Sequence, residues 1–190
     1  DTQVLVLAGD GGTYDIGFQC LSSAAERNED FLYFCLDNEG YMNTGAQKSS
    51  STPHFAKTGS TPAGKTTRKK NLTDIMAAHQ VPYAATASIG NLPDLIRKVE
   101  KAKALRGFRI ITLLIPCIDG WGLADARHAV ECGAFPLYEV EDHGRRYTLN
   151  HTERTRPVSD YLALQRRYRH TPPEAIAALA GADGADVPVF

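Results

Sequence analysis

The amino-acid sequence predicts an α/β domain built on a mainly parallel sheet with helices on both faces. Three observations lead there. Short apolar runs alternate with segments of helical period, the order that βαβ units produce. Two of the runs, 31–36 (FLYFCL) and 108–115 (FRIITLLI), are apolar on both faces, as strands are when helices cover the sheet on each side. Residues capable of chemistry, Asp10, Asn38 and Cys117, fall at or just past strand ends, where ligands bind in such sheets.

At 190 residues, with 43% hydrophobic side chains and a formal net charge of −1, the chain suits one folded domain with a full core. A charge balance this close to zero argues against a dedicated nucleic-acid binder. No apolar run approaches the roughly 20 residues that a membrane helix needs, so no membrane span is expected. The first residues read as a strand rather than as a secretory signal. The four cysteines, Cys20, Cys35, Cys117 and Cys132, lie far apart without a CxxC pair, which suits thiols or ligands in a cytoplasmic chain better than disulfides. Cys20, Cys35 and Cys132 read as small buried hydrophobes. The chain has no initiator Met and opens almost directly on a strand expected to be central, so we expect a fragment lacking its N-terminal part.

Taken in order, a strand at 4–7 leads through the glycine turn 9–12 into a helix over 14–27, and strand 31–36 follows. Residues 38–71 form the longest irregular stretch, rich in Ser, Thr, Gly and Pro with a basic end at Lys65, Arg68, Lys69 and Lys70. A loop of that length inside a compact domain carries function or moves. Its basic end reads as a solvated run, with attraction of ligand phosphates as the functional alternative. A short helix at 72–79 and a strand at 83–88 precede a helix capped by Asn91, with Pro93 in its first turn. Leu92, Leu95, Ile96, Val99 and Ala102 share its apolar face, while Arg97, Lys98, Glu100 and Lys101 are expected to face out. Strand 108–115 closes on Pro116 and the loop 117–122. A helix at 124–132, a strand at 136–140, a hairpin partner at 145–150 and an Arg- and Tyr-rich helix at 158–169 lead to a peripheral Ala/Gly/Asp tail. We divide the chain into a ligand-binding domain, 1–150, and a C-terminal helix and tail, 151–190.

The stretch 3–47 organises the rest. A strand that runs into Gly9-Asp10-Gly11-Gly12 and then a helix aims backbone N–H groups and the helix dipole at one point, which favours an anion. Glycine lets the backbone approach phosphate oxygens. The turn contains no lysine, so it is not a P-loop, and it lacks the spacing of a dinucleotide fingerprint. It does contain Asp10, a carboxylate where phosphate is expected. The two coexist if a divalent cation bridges them, and Mg²⁺ binds through one or two carboxylates plus phosphate oxygens. A second ligand is expected at the end of the neighbouring strand, where Asn38 stands with 26 residues, 12 to 37, between it and Gly11. Phosphate oxygens and water would complete an octahedron. Alternation points Asp37 and Glu39 away from Asn38's side, so both are left out. Taken alone, Asp10 and Asn38 read equally as turn residues bonded to their own backbone.

The GDG triplet, the spaced Asn38 and the segment NEGYMNTGAQ together resemble thiamine diphosphate enzymes, and among them the 2-oxoacid:ferredoxin oxidoreductases, the pyruvate:ferredoxin oxidoreductase family. Similarity runs from about residue 4 to 137, with GDGGTYDIG, NTGAQ and PCIDGWG most specific. The resemblance implies the diphosphate-domain fold with bound thiamine diphosphate and Mg²⁺. It puts Gly9, Asp10, Gly11, Gly12, Thr13, Asn38, Gly40, Tyr41 and Asn43 at the cofactor, and Asp10, Asn38 and Gly40 on the metal. Gly11, Gly12 and Thr13 are expected to supply N–H and hydroxyl donors to the diphosphate. Asn43 matches the family's asparagine near the thiazolium and substrate, a catalytic role whose plainer alternative is a turn asparagine before Thr44-Gly45. Family members often carry threonine at Asn38 and a bulkier residue at Gly40. The first change keeps an oxygen, and the second position contributes only its carbonyl. Cys117 looks like the family's fourth ligand of a [4Fe–4S] cluster, whose other cysteines lie upstream of this region. Four thiolates are the usual set, which this chain does not supply alone.

By the same resemblance the reaction is oxidative decarboxylation of a 2-oxoacid to an acyl-CoA and CO₂, with electrons passed to an iron–sulfur cluster and on to ferredoxin or a similar acceptor. Coenzyme A is then the ligand whose phosphates the Lys65–Lys70 run would attract. The chain is expected to be half of an active site in a hetero-oligomer, its partner subunit or domain carrying the glutamate that activates the cofactor's aminopyrimidine. Two rivals keep the same fold: a non-oxidative thiamine diphosphate-dependent decarboxylase or carboligase, and a non-catalytic assembly subunit. The six histidines, His54 among them, form no HxxxH or similar metal pattern.

Overall fold

The computed structural model describes residues 2–117 and 121–181. Strands β1 (Val4–Gly9), β2 (Phe31–Asp37), β3 (Tyr83–Ser88), β4 (Arg109–Leu114), β5 (Tyr138–Glu141) and β6 (Arg146–Leu149) form one sheet in the order β1-β2-β4-β3-β5-β6. The first four in that order run parallel, and β5 and β6 join antiparallel as a hairpin at the β3 edge. The parallel majority follows from helical connections, which return the chain to the same end of the sheet. Helices α1 (Phe18–Glu26), α2 (Leu72–Ala78), α3 (Leu92–Ala104), α4 (Leu123–Glu131), α5 (Val158–Leu164) and α6 (Pro173–Gly181) complete the described chain, with a 3₁₀ turn at Arg166–Tyr168.

Period-two alternation sorts the β2 and β4 side chains between two cores. Tyr33, Cys35 and Ile110 meet Leu21 of α1 and Leu72 and Met76 of α2 on one face, while Leu32, Phe34 and Ile111 meet Val99 and Ala102 of α3 on the other. A third cluster joins α4, α5 and α6 around Leu137, Tyr161 and Leu179. Helices therefore cover both faces, as the apolar strand patterns require.

Several expectations change. The first strand is an edge of the sheet among the described residues rather than central, and Leu5 and Leu7 are exposed. Lys98 does not face out. It is fully buried, with Nζ 2.7 Å from both Asp94 Oδ2 and the Thr86 carbonyl, while Leu92 and Ile96 of the same helix are exposed. Periodicity misplaced it because an acidic partner four residues earlier makes burial of an ammonium tolerable. Cys20 is exposed, whereas Cys35 and Cys132 are buried as expected. The Arg- and Tyr-rich helix stops at Leu164, and α6, read as part of a peripheral tail, inserts Leu179 into the third cluster. The remaining tail, 182–190, and the middle of the loop 117–122 lie outside the described residues.

A candidate cofactor and metal site at the strand ends

β1 ends at Gly9, and the chain coils at once: Asp10 is helical (φ −59°, ψ −45°) and Gly11–Ile16 forms a π-helical turn that continues past Gly17 into α1. Gly9, Gly11 and Gly12 do not adopt the left-handed backbone that occurs at Gly45 and Gly64. What matters is the missing Cβ. At Gly11 it would stand 2.2 Å from the Tyr41 ring, and at Gly9 and Gly12 it would project into open space. That space borders a cleft of 230 Å³ lined by Asp10, Gly12, Asn38, Gly40 and Asn43, among others. A helix start leaves its first N–H groups without intrahelical partners, and here they sit beside the cleft. Thr13 offers less than expected. Its hydroxyl is buried, 2.7 Å from the Gly9 carbonyl and 2.9 Å from the Tyr33 hydroxyl, so only its backbone N–H remains for a ligand.

Asp10, Asn38 and Gly40 come together. Asp10 is 2% exposed, and its Oδ2 accepts a hydrogen bond from Ser49 Oγ at 2.5 Å. One arm of the Asn38 amide lies 3.0 Å from Asp10 Oδ1 and 2.7 Å from the Gly40 carbonyl oxygen. With nitrogen on that arm the amide donates to both; turned over, it presents Oδ1 to the same two oxygens. Neighbouring ligand oxygens on a Mg²⁺ ion with bonds of about 2.1 Å stand about 3.0 Å apart. The donor set fits this ion. Among the described residues no group of three His, Cys, Asp or Glu side chains could hold a metal, so phosphate oxygens or water must complete any shell here.

The charges fit as well. Burial, and then the neighbouring Asp37, push the Asp10 carboxyl up to about 7, against the pull of the Ser49 hydroxyl and Lys69. Asp37 and Glu39, also buried, are compensated. Lys69 Nζ lies 2.9 Å from Asp37 Oδ2 and 3.0 Å from Glu39 Oε1, and Arg167 pairs with Glu39 Oε2. Burial works against the Lys69 charge, but Asp37 and Glu39 outweigh it and hold the ammonium well above the usual lysine range. Asp10 is thus the buried carboxylate of this cluster that lacks a cation of its own. Glu39 adopts φ +67°, a left-handed conformation that costs a side-chain-bearing residue about 1 kcal/mol. Its two ion pairs and the Thr52 hydroxyl on its carbonyl, at 2.8 Å, hold that bend. The bend carries the Gly40 carbonyl back toward Asn38.

The Tyr41 hydroxyl stands 3.0 Å from both the Gly11 carbonyl and Asp15 Oδ2, fastening the loop after β2 to the glycine turn. Asn43 is exposed on the cleft. Cys117 is a free, half-buried thiol past the end of β4, bridged through its carbonyl to the Trp121 N–H at 2.9 Å. The Trp121 indole donates in turn to the Asn38 carbonyl at 3.3 Å, so Trp121, bonded to Cys117, abuts the end of β2. The basic run is solvated only in part: Arg68 is exposed, whereas the Lys65 and Lys69 side chains are buried. Lys65 is buried with Nζ on the carbonyls of Thr52 (2.5 Å) and Arg68 (3.1 Å), and burial followed by the charges of Lys69 and Lys48 lowers it to about 8. Lys48, Lys65, Arg68 and Lys70 line a separate cavity of 450 Å³.

Residues 1–113 match the family model of the thiamine pyrophosphate enzyme, C-terminal TPP binding domain. The chain belongs to this family. Its curated relatives include the pyruvate synthase subunit PorB of Methanocaldococcus jannaschii, 50% identical over 91% of this chain and 61% of the relative. Another is the ketoisovalerate oxidoreductase subunit VorB of Pyrococcus furiosus, 44% identical over 90% of this chain and 59% of the relative. The chain thus spans about three fifths of the length of these relatives. Among solved structures, the 2-oxoglutarate:ferredoxin oxidoreductase from Magnetococcus marinus, which holds 2-oxoglutarate, coenzyme A and succinyl-CoA, superimposes with a TM-score of 0.60 at 26% identity. That match covers 63% of this chain and 41% of the other. The family's TPP-binding fold accounts for the mostly parallel six-stranded sheet with its helices.

Sequence reasoning missed the residues that hold this edge in place. Ser49, Ser50, Ser51 and Thr52 each place a hydroxyl on it, at Asp10, Asp15, Asp37 and the Glu39 carbonyl respectively. The signal was present as four consecutive hydroxyl residues just past NTGAQ, in a loop that must satisfy several buried carboxylates. Lys69 was seen only as part of a basic run.

Proposed function

We propose that this chain holds the diphosphate end of thiamine diphosphate through Mg²⁺ within a 2-oxoacid:ferredoxin oxidoreductase. The observation that carries the reading is the approach of one arm of the Asn38 amide to Asp10 Oδ1, at 3.0 Å, and to the Gly40 carbonyl, at 2.7 Å. Asp10, Asn38 through its amide oxygen, and the Gly40 carbonyl would hold the metal. The N–H groups of Gly11, Gly12 and Thr13, at the helix start beside Gly9, would receive diphosphate oxygens. Tyr41 keeps the loop after β2 closed on Gly11. When bound, thiamine diphosphate supplies the carbon nucleophile and the electron sink for decarboxylation.

Asn43, exposed on the cleft, orients the substrate. Cys117 is the thiolate this chain offers to a [4Fe–4S] cluster whose other ligands lie outside it. The cavity lined by Lys48, Lys65, Arg68 and Lys70 suits the phosphates of coenzyme A. The relatives are named as subunits, and we read this chain likewise as one part of a cytoplasmic hetero-oligomer. A partner subunit or domain would bring the pyrimidine-activating glutamate, and ferredoxin would take the electrons. Residues 1–150 are the cofactor-binding unit and 151–190 the C-terminal part, whose Arg167 reaches Glu39. No helix among the described residues is long and apolar enough to cross a membrane.

Asp10→Ala tests the reading. The carboxylate sits in a turn and supports little packing, so the fold should survive while Mg²⁺-dependent cofactor binding to the assembled complex is abolished in calorimetry. Unchanged cofactor affinity would sink the assignment.

A further inference from the structure

We propose that Ser49 sets the metal preference of the site by holding Asp10 to a single coordinating oxygen, favouring Mg²⁺ over Ca²⁺. This rests on the reading of Asp10 as a metal ligand. Ser49 is 2% exposed, and its hydroxyl has no freedom of direction. Its oxygen accepts the Ser51 N–H at 3.1 Å, which leaves its one proton to Asp10 Oδ2 at 2.5 Å. Asp10 Oδ1 is the oxygen that faces Asn38 and Gly40. The carboxylate therefore presents one free oxygen to the ligand edge and has the other already engaged.

That division discriminates between ions. Mg²⁺ takes six oxygens in a tight octahedron at about 2.1 Å, in which one oxygen per carboxylate suffices. Ca²⁺ takes six to eight at about 2.3–2.6 Å and readily uses both oxygens of a carboxylate. Keeping Oδ2 on Ser49 denies the larger ion a ligand that it would otherwise recruit.

Ser49 is held in place firmly enough to do this. Its N–H bonds to Thr52 Oγ1 at 2.9 Å, and that hydroxyl donates to the Glu39 carbonyl, next to Gly40. Ser51 Oγ donates to Asp37, and Lys65 Nζ grips the Thr52 carbonyl at 2.5 Å from the far side. One strap, residues 49–52, thus ties the segment bearing Asp10 to the segment bearing Asn38 and Gly40. Ser49 is a positioning residue acting through Asp10.

The test uses the full-length protein in its purified complex, stripped of metal and cofactor. Mg²⁺ and Ca²⁺ are titrated separately at fixed thiamine diphosphate, with bound cofactor read by equilibrium dialysis. Ser49→Ala should weaken apparent Mg²⁺ affinity by about tenfold, the usual scale for losing a hydrogen bond to a metal ligand, and weaken Ca²⁺ far less, so the preference ratio shifts toward Ca²⁺. Ser49→Thr should keep the wild-type ratio, and Ser22→Ala, whose hydroxyl meets His79 away from this edge, should leave it unchanged. Should Ser49→Ala not fold, Ser49→Cys, which keeps the shape with a weaker donor, must shift the ratio the same way. An unchanged ratio, or equal losses for both ions, overturns the proposal. Asp10→Ala in the same assay separates the two readings. If it keeps metal-dependent binding, the metal site itself is wrong. If it loses that binding while Ser49→Ala keeps the wild-type ratio, only the role of Ser49 falls.

Discussion

Asp10 sits where two demands meet: the helix start beside it favours an anion, yet its own burial next to Asp37 disfavours its charge. A divalent cation between carboxylate and diphosphate meets both. Asp37 and Glu39 have the same chemistry and a neighbouring position but already pair with Lys69 and Arg167. That Asp10 and Asn38 lie close together could be read from the sequence, because a glycine turn and a strand end fix their places before any packing is known. Ser49 and Lys69 could not, since their contacts cross from a long loop and no local period announces them. Asn43 gives a test at this scale. With its side chain open to the cleft and outside the group formed by Asp10, Asn38 and Gly40, it should act on substrate rather than on the cofactor's diphosphate. Asn43→Ala should then lower kcat at least tenfold while leaving thiamine diphosphate affinity within about twofold, a split that steady-state kinetics and calorimetry resolve. A large loss of cofactor binding, or unaltered turnover, would count against that role.

The elements follow the sequence closely where one pattern dominates. Strand β3 is found at the predicted residues 83–88, Asn91 caps α3, accepting the Asp94 N–H at 3.4 Å, and the β5–β6 hairpin forms. Buried cations depart from that pattern, and each is paired with an acid. Lys98 enters the core because Asp94 accompanies it, and Arg109 of β4 is buried on the Ala102 carbonyl and Asp30. Glu139 of β5 shows what such pairing does to stability. Burial alone would raise its carboxyl, but hydrogen bonds from Lys101, Tyr83, Arg97 and Asn150 prevail and bring it down from 4.5 to about 2. A carboxylate depressed in the folded state contributes its full stability above the unfolded value and loses it as pH falls toward the folded one. Melting temperature should therefore fall between about pH 4.5 and 2, and Glu139→Gln should melt lower at pH 7 with a shallower acid limb. Equal acid slopes in the two proteins would rule out this anchor of β5 to α3 and β3.

At the scale of the molecule, the sheet gathers the ends of β1, β2 and β4 on one edge, so that Asp10, Asn38 and the Cys117 loop become neighbours though far apart in the chain. The fold class and this edge were legible because parallel strands place their carboxyl ends together whatever their order. The edge position of β1 was not, because strand order depends on packing that no single run encodes. Cys117 belongs to this scale, since a cluster needs thiolates from several segments. In the complete enzyme, Cys117→Ser should lose iron and diminish the low-temperature EPR signal of the reduced complex while thiamine diphosphate still binds, and Cys132→Ser, buried on the Ala129 carbonyl, should change neither. Full iron content in Cys117→Ser would return the residue to the role of a half-buried thiol and strengthen the non-oxidative alternative. The central claim, a metal held between the glycine turn and the end of β2, is tested most directly by anomalous diffraction from crystals of the complex loaded with Mn²⁺ and thiamine diphosphate. The account predicts one manganese peak about 2.1–2.2 Å from Asp10 Oδ1, Asn38 Oδ1 and the Gly40 carbonyl, with Asp37 and Glu39 still on Lys69. A peak on Asp37 or Glu39, or none within reach of Asp10, would contradict it.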